Sequence, residues 1–329
     1  MKTVVLSVDA RTPAPDIVAR AADVLRRGGL VAFPTETVYG LAANALEAAA
    51  VGRIFAAKGR PPANPLIVHA GEPLAGRALA GAWPEDAERL AKRFWPGPLT
   101  LVLPKTPAIS DAVTAGGATV ALRVPAHPVA LAVLQAAGLP LAAPSANRSS
   151  RLSPTRAEHV LRDLDGLIDL LLDAGPTAGG LESTVLDITA SPPRLLRPGL
   201  VTPAEIEAVI GPIQHAGAAS GPLRSPGLLG KHYAPTTPLE CPADDAARVA
   251  ELLAAGRRVG WLTFKPRPMP PNLVVELMPA SAHEYAAKLY DVLHRLDRLH
   301  LDHIIVAPVP YGEEWLAIRD RLRRAAGTP

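Results

Sequence analysis

Residues 58 to 69, KGRPPANPLIVH, concentrate hydrogen-bond donors in a stretch that cannot form a helix. Each of its three prolines removes a backbone donor and favours extended geometry in the residue before it. The pattern predicts a stiff, extended loop that carries Lys58, Arg60 and Asn64 and runs into a short strand ending at His69. Such a loop suits a polyanionic ligand, and it equally suits a solvated surface turn.

Further polar side chains are predicted at the ends of strands, within otherwise apolar sequence. Strand ends and the loops after them are where α/β domains place their sites, so we expect these residues to converge with the 58–69 segment. They are Thr35 in FPTETVYG, Thr119 and Arg123 in GATVALRVPAH, Ser145 and Asn147 in PSAN, Ser153, Ser183 in LESTV and Arg197 in LLRPG.

The sequence gives little support to other chemistries. His300 and His303 have H-x-x-H spacing but no nearby carboxylate pair or cysteine, so we predict no protein-bound metal. Ser145 lacks a G-x-S-x-G elbow and Cys241 has no obvious base beside it, which argues against covalent catalysis. Neither a G-x-x-x-x-G-K-[ST] loop nor a G-x-G-x-x-G motif after a strand is present.

Length and composition indicate a globular protein of two domains. The chain has 329 residues, of which 48% are hydrophobic and 20% charged, with a net charge of only +3. This balance makes non-specific binding to nucleic acid or membranes a poor explanation, so any anion site must be a local cluster. A single cysteine excludes an intrachain disulfide. We expect a soluble, cytoplasmic protein without a membrane span.

The first 210 residues mix helices and strands without a strict repeat. We therefore predict a domain of α/β or α+β class over residues 1–210, built around a twisted, partly mixed sheet. The predicted helices are DIVARAADVLRRGG, TVYGLAANA, LEAAAVGRIFAAKG, PEDAERLAKRFWPG, PVALAVLQAAG and PTRAEHVLRDLDG, and the predicted strands are LVAFPTE, LTLVLPK, TVALRVPAH, PLAAPSAN, STVLDIT and PRLLRPG.

The remaining residues indicate a linker and a second domain. Residues 211–237 are rich in Gly, Pro, Ser and Ala, which predicts a linker. Strands and helices alternate over 238–329, which predicts a small three-layer, Rossmann-like α/β domain. Ser281 and Glu284 have capping-box spacing at the start of its long helix. The predicted apolar face of that helix comprises Tyr285, Leu289, Val292, Leu296 and Leu299.

Seven motifs in this order resemble those of the threonylcarbamoyl-AMP synthases, whose catalytic core is the YrdC-like domain. They are FPTETVYGL, KGRPPANPLIVH, WPGPLT, RVPAHP, APSAN, ESTV and LLRPG. The similarity covers about residues 5–210, and KHYAP and AIRDRLRRAA resemble the long, two-domain form of the family. One departure is Ala42 in GLAANA, where the family usually has Gly; Ala42 suits the helix predicted there.

The resemblance implies an enzyme that makes threonylcarbamoyl-AMP from L-threonine, bicarbonate and ATP and releases pyrophosphate. It implies Mg²⁺ bound through the phosphates of ATP and no metal held by the protein. The product feeds a partner transferase, which forms N6-threonylcarbamoyladenosine at position 37 of tRNAs that read codons beginning with A. Weak binding of tRNA, or of other double-stranded RNA, stays open.

The resemblance also implies the contacts of each substrate, with Lys58 and Arg60 in the catalytic roles. The residues implied for threonine are Thr35, His69, Arg123 and Ser183, and those implied for ATP are Lys58, Arg60, Asn64, Thr119, Ser145, Asn147, Ser153 and Arg197. We further predict that the linker closes over the site and brings Tyr233 to the nucleotide. The alternative is a flexible tether whose aromatic ring packs on the second domain.

Two other functions compete with this interpretation. An RNA-binding module without catalysis should show a basic excess with aromatic stacking residues, whereas the aromatic fraction here is 4%. Carbamoyl transfer in hydrogenase maturation uses a related domain within a much larger chain, whose zinc-finger-like and acylphosphatase-like parts are not visible in this sequence.

Overall fold

The computed structural model describes residues 2–215, 232–267 and 270–327. These residues fall into two compact units. Unit 1 comprises 2–149 and 154–215, and unit 2 comprises 150–153 together with the described residues from 232 onward. Most of the predicted 211–237 linker, residues 216–231, lies outside the described residues.

Unit 1 is built from short strands and helices that are interspersed along the chain without strict alternation. Its strands are β1 (Val4–Ser7), β2 (Val31–Phe33), β3 (Gly40–Asn44), β4 (Ile67–His69), β5 (Leu99–Pro104), β6 (Thr119–Arg123), β7 (Leu141–Ala142), β8 (Leu170–Asp173), β9 (Thr184–Asp187), β10 (Arg194–Arg197) and β11 (Gln214–His215). Its helices are α1 (Pro15–Arg26), α2 (Ala48–Lys58), α3 (Pro73–Arg77), α4 (Glu85–Phe94), α5 (Asp111–Thr114), α6 (Pro128–Ala137), α7 (Ala157–Leu164) and α8 (Pro203–Ile210).

The described strands of unit 1 form one mixed sheet in the order β1-β8-β2-β3-β7-β4-β6-β5-β9-β10-β11. Pairs such as β4–β6 and β5–β9 are parallel, whereas β3–β7, β4–β7 and β5–β6 are antiparallel. This confirms the predicted mixed-sheet α/β class. The mixture matters for the site because it brings the beginnings of some strands beside the ends of others.

Helices α1 and α6 cover one part of this sheet. In α1 the buried residues recur at three- and four-residue spacing, which places them on one face of the helix. That face joins the buried residues of α6 and of β2 and β8 in a single apolar cluster. Several members are alanines, and their small side chains allow helix and sheet to pack closely. The result is a rigid support beneath the strands whose ends carry the polar motifs.

The prediction of a helix across GLAANA is wrong, because Gly40–Asn44 is strand β3. Its backbone pairs on both sides: Ala42 lies opposite Val31 of β2, and Ala43 lies opposite Ala142 of β7. Alanine has a high helix propensity, but two ladders of hydrogen bonds and complete burial outweigh a few tenths of a kcal/mol per residue. Ala42 is thus a strand residue.

Unit 2 contains a small parallel sheet. Its described strands are β12 (Leu239–Glu240), β13 (Val259–Thr263), β14 (Leu273–Leu277) and β15 (His303–Val306), in the order β12-β15-β13-β14. Its helices are α9 (Asp245–Ala254), α10 (Ala282–Asp297) and α11 (Leu316–Ala326), the last preceded by a 3₁₀ turn over Glu313–Trp315. The apolar face of α9 packs on β13, β14 and β15, as the predicted alternation of helix and strand requires.

Two details of α10 differ from the prediction. Ser281 precedes the helix, but its side chain makes no capping hydrogen bond. Ser281 and Glu284 are both exposed, so water can satisfy the first N–H groups of the helix. Leu299 lies beyond the last helical residue and is 42% exposed, so it is not part of the apolar face, whose other four members are buried.

The segment 150–153 groups with unit 2 although it lies within the first 210 residues. The Ala234 N–H donates to the Ser150 carbonyl at 3.0 Å, and Nε2 of His294 lies 3.1 Å from the Ser153 carbonyl oxygen.

Within the described residues, no helix combines the length and apolar character that crossing a membrane requires.

Candidate active site in unit 1

The register of two parallel strands places the candidate residues at opposite ends of the strands. Each row of strand ends is called an edge of the sheet below. Strands β4 and β6 pair with Ile67 beside Ala121 and His69 beside Arg123. The loop before β4 therefore lies at the same edge as Thr119, the first residue of β6. His69 and Arg123 lie at the opposite edge, about 13 Å from Thr119 by the rise of four strand residues. We call these the loop edge and the His69 edge.

Lys58 ties helix α2 to the PSAN segment at the loop edge. Its ammonium group donates to the Ser145 carbonyl at 2.6 Å and also to the Asn147 carbonyl. The Lys58 carbonyl in turn accepts from the Ser149 N–H at 2.8 Å. Lys58 is 2% exposed, and this burial, followed by the charge of Arg60, holds the pKa of its ammonium group well below the usual value.

The proline-rich loop folds around the guanidinium group of Arg60. Nε donates to the Asn64 carbonyl at 3.0 Å and one terminal nitrogen donates to the Pro65 carbonyl at 2.9 Å. Arg60 therefore fixes the backbone of its own loop, a contact that the sequence did not predict. The side chain of Asn64 is 1% exposed, and neither its Oδ1 nor its Nδ2 has a hydrogen-bond partner.

Strand β3 positions the PSAN segment. Gly40 forms an isolated bridge with Ser145, the Leu41 N–H donates to the Pro144 carbonyl at 2.7 Å, and the Ala146 N–H donates to the Tyr39 carbonyl at 2.8 Å. The side chain of Asn147 donates to the Arg148 carbonyl at 2.8 Å. The strand at GLAAN, predicted as a helix, is thus what positions one wall of the site.

Arg123 organises the His69 edge. Its Nε donates to the Gly97 carbonyl at 3.1 Å, and a terminal nitrogen donates to Glu36 Oε1 at 2.6 Å and to Thr37 Oγ1 at 3.1 Å. Thr37 Oγ1 lies 2.7 Å from Thr35 Oγ1, which links Thr35 to Arg123 through one hydroxyl. Glu36, Thr37 and Gly97 were not predicted, although Glu36 and Thr37 stand within FPTETVYG.

The imidazole of His69 is buried at this edge. It is 3% exposed, and Nδ1 has no hydrogen-bond partner. Burial, and after it the positive charge of Arg123, holds the pKa of the imidazole well below its usual value. A neutral imidazole can accept one hydrogen bond and donate another, so His69 can bind a hydroxyl group without adding charge.

Ser183 and Arg197 extend the His69 edge towards β9 and β10. The Ser183 hydroxyl lies 2.7 Å from that of Thr100, and Arg197 Nε donates to the Ser183 carbonyl at 3.1 Å. The turn at 97–98 joins this group to Arg123, because the Thr184 N–H donates to the Pro98 carbonyl at 3.0 Å. Arg197, assigned to ATP by resemblance, thus contacts a residue assigned to threonine.

Two predicted site residues belong to unit 2. Ser153 is fully buried, and Tyr233 is 1% exposed with a left-handed backbone, φ 60°. The Tyr233 ring lies 4.9 Å from the guanidinium carbon of Arg321 and 6.2 Å from the ring of Tyr290.

In the described part of the chain, no group of three or more His, Cys, Asp or Glu side chains could hold a metal ion.

A mixed sheet with these polar motifs at the ends of its strands is the arrangement expected of a YrdC-like domain. Residues 23–199 match the Sua5–YciO–YrdC family model, which is described as "Telomere recombination". Residues 201–327 match the model described as "Threonylcarbamoyl-AMP synthase, C-terminal domain". The chain belongs to the threonylcarbamoyl-AMP synthase family, in its two-domain form.

Relatives and a solved structure support this family over nearly the whole chain. Threonylcarbamoyl-AMP synthase of Bacillus subtilis is 48% identical over 94% of this chain and 93% of its own. Threonylcarbamoyl-AMP synthase of Pyrococcus abyssi is 45% identical, with 93% of this chain and 93% of that one covered. The crystal structure of P. abyssi Sua5 complexed with L-threonine has a TM-score of 0.92 at 42% identity and covers 99% of this chain and 98% of that one.

Proposed function

We propose that this protein makes threonylcarbamoyl-AMP from L-threonine, bicarbonate and ATP and releases pyrophosphate. The observation that carries the proposal is the pair of unsatisfied polar side chains at the two ends of one segment. Asn64 at the loop edge and His69 at the other are buried with polar atoms that have no partner, and cations stand beside both. Leaving such atoms buried costs about 1–3 kcal/mol each, which a polar substrate at either edge would recover.

The proposal assigns one substrate mainly to each edge. ATP would lie mainly along the loop edge, where the donors are cationic or neutral and suit phosphate oxygens, and it would reach Arg197 at the His69 edge. L-Threonine would lie at the His69 edge, with its carboxylate on Arg123 and its hydroxyl on His69. The proposed ATP contacts are Lys58, Arg60, Asn64, Thr119, Ser145, Asn147, Ser153, Arg197 and Tyr233, and the proposed threonine contacts are Thr35, His69, Arg123 and Ser183.

The chemistry requires no nucleophile from the protein. The amine of threonine takes up CO₂ from bicarbonate to give a carbamate, and a carbamate oxygen attacks the α-phosphorus of ATP in line as pyrophosphate leaves. Catalysis then consists of positioning and of neutralising charge on the phosphates, with Lys58 as a compact cation. Donors of this kind suit anions, not a resident metal, so Mg²⁺ would belong to the substrate as its ATP complex.

The division of the chain, Tyr233 and the fate of the product follow from the same reaction. The division at 1–210, 211–237 and 238–329 would separate the catalytic core, a lid and an accessory domain. Tyr233 would act with the lid, and cleavage within 211–237 by a protease should slow when ATP and threonine are both present. The product would pass to a transferase that modifies tRNA in the cytoplasm, with weak binding of tRNA by this protein left as a prediction.

Pyrophosphate release tests the reaction directly. Purified protein is incubated with ATP, labelled bicarbonate and L-threonine, and then with each of the three omitted in turn. We expect pyrophosphate to appear only with all three, together with one labelled carbon per product. Pyrophosphate release without threonine or without bicarbonate would show that the protein catalyses a different reaction of ATP.

A further inference from the structure

We propose that Glu36 binds the amino group of the amino-acid substrate and takes one of the two protons that its nitrogen loses when the carbamate forms. Glu36 lies in the turn between β2 and β3, where its backbone carbonyl accepts from the Gly179 N–H at 2.8 Å. One carboxylate oxygen, Oε1, accepts from Arg123 at 2.6 Å. The other, Oε2, is buried and has no hydrogen-bond partner.

An unpaired carboxylate oxygen needs a reason when it is buried. Each oxygen of an ionised carboxylate can accept hydrogen bonds, and burial without one is costly because the oxygen has given up water. Arg123 satisfies only Oε1. The second oxygen therefore marks a position where a donor would be stabilised. It belongs to the side chain that binds Arg123, and Arg123 is the proposed ligand of the substrate carboxylate.

An α-amino acid presents an anion and a cation on one carbon atom, so its binding site needs a donor and an acceptor side by side. Arg123 supplies the donor. The hydroxyls at this edge can accept a hydrogen bond but carry no charge, and the lowered pKa of His69 favours its neutral form. Glu36 is the carboxylate in direct contact with Arg123, so it is the group that matches a substrate ammonium next to a substrate carboxylate.

The same oxygen has a task in the chemistry. Threonine as its ammonium form and bicarbonate give the carbamate, one water and one proton. The C–N bond forms as a C–O bond of bicarbonate breaks, and the nitrogen must end with one hydrogen. The nitrogen therefore loses two protons: one ends in the water that forms from the departing oxygen of bicarbonate, and Glu36 Oε2 would take the other. Oε2 is buried, but the Glu36 side chain keeps 18% of its surface exposed, so rotation of the carboxyl group would bring the proton to solvent before the next turnover.

The competing role for Glu36 is to orient Arg123 and nothing more. Glu36→Gln separates the two, because its amide oxygen can still accept from Arg123 while its NH₂ group cannot accept from a substrate nitrogen. L-Threonine and (R)-3-hydroxybutyrate, which lacks only the amino group, provide the matched pair of ligands. A role limited to Arg123 would weaken both ligands alike, since both carry the carboxylate and the hydroxyl.

Calorimetric titration of the full chain with each ligand tests the inference, which rests on the proposed binding of threonine. For Glu36→Gln we expect threonine to bind about ten- to a hundredfold more weakly and hydroxybutyrate to change less than about threefold. Glu36→Asp should recover part of the loss. Asp169→Asn, which alters a carboxylate paired with Arg53 at 2.8 Å, is the control and should change neither ligand.

The possible results separate this inference from the proposed function. Equal weakening of both ligands, or no weakening of either, would overturn the role of Glu36 while the parent protein still binds threonine and releases pyrophosphate. A parent protein that binds no threonine would instead contradict the proposed function itself. Selective loss of threonine binding in Glu36→Gln supports the inference.

Discussion

Both units bury a basic side chain, but they neutralise it differently. In unit 1, Lys58 is 2% exposed and its ammonium group is held by two backbone carbonyls. In unit 2, Arg321 is 1% exposed and donates to the carboxylate of Asp320 at 2.6 Å, and its guanidinium group lies over the Tyr233 ring. The two residue types and their burial are similar, and their partners are not.

This difference bears on the binding role that we propose for Lys58. Carbonyl oxygens carry partial charges, so a buried ammonium group beside them is incompletely compensated and still favours an anion. A carboxylate carries a full charge, so the pair in unit 2 is compensated within the protein. Burial of a cation is thus not informative by itself. A carboxylate partner does not exclude a ligand either, because the Arg123–Glu36 pair leaves one buried carboxylate oxygen without a partner.

Replacing Lys58 should give the largest effect and tests the unit 1 half of the comparison. For Lys58→Met we expect kcat/KM for pyrophosphate release to fall, because a cation on the phosphates is lost. The fall should correspond to a loss of about 3–4 kcal/mol of transition-state stabilisation. The free energy of unfolding should change by less than about 1 kcal/mol, because relief of the buried charge offsets the unsatisfied carbonyls.

Lys92→Met is the matched control, since it removes the same charge from an exposed position on α4. Its activity should equal that of the parent. Parental activity in Lys58→Met would refute the binding role, and a large loss of stability without loss of activity would make Lys58 a structural residue like Arg321.

Replacing Arg321 should have the opposite signature. Arg321→Met leaves Asp320 with Arg324, whose Nε lies 3.0 Å from each carboxylate oxygen, but removes the buried partner and its contact with the Tyr233 ring. We expect the free energy of unfolding to fall by about 2–3 kcal/mol in denaturant titrations. Arg323→Met removes an exposed partner of the same carboxylate and should cost no more than about 0.5 kcal/mol. Equal costs for both variants would show that burial of the pair is irrelevant.

The sequence predicted the mixed sheet and most helices, because their apolar periodicity reflects burial. It failed at Gly40–Asn44, where small residues fit a helix locally and only pairing with β2 and β7 decides for a strand. At the candidate site, the motifs predicted Arg123 and His69 but not Glu36. The role that we propose for Glu36 depends on an oxygen left without a partner, which is a property of the assembled turn and not of the residue type.

The smallest expected effect concerns His69 and the pH dependence of stability. Burial and Arg123 hold its pKa well below the usual value, so the folded protein keeps the ring neutral at a pH where the unfolded chain protonates it. The unfolded state then binds more protons below about pH 6.5, so His69 lowers stability progressively as the pH falls below that value. The slope from this group is at most about 1.4 kcal/mol per pH unit.

His69→Gln should therefore flatten the decline in stability between about pH 6.5 and pH 5, measured by denaturant titration at several pH values. The difference in slope between parent and variant isolates His69, because the carboxylates and His127 contribute to both. His283→Gln alters an exposed histidine of unit 2 and should keep the parental slope. Parallel profiles for parent and His69→Gln would mean that His69 takes up a proton without cost in the folded protein, and the neutral acceptor assigned to the substrate hydroxyl would then be lost below about pH 6.5.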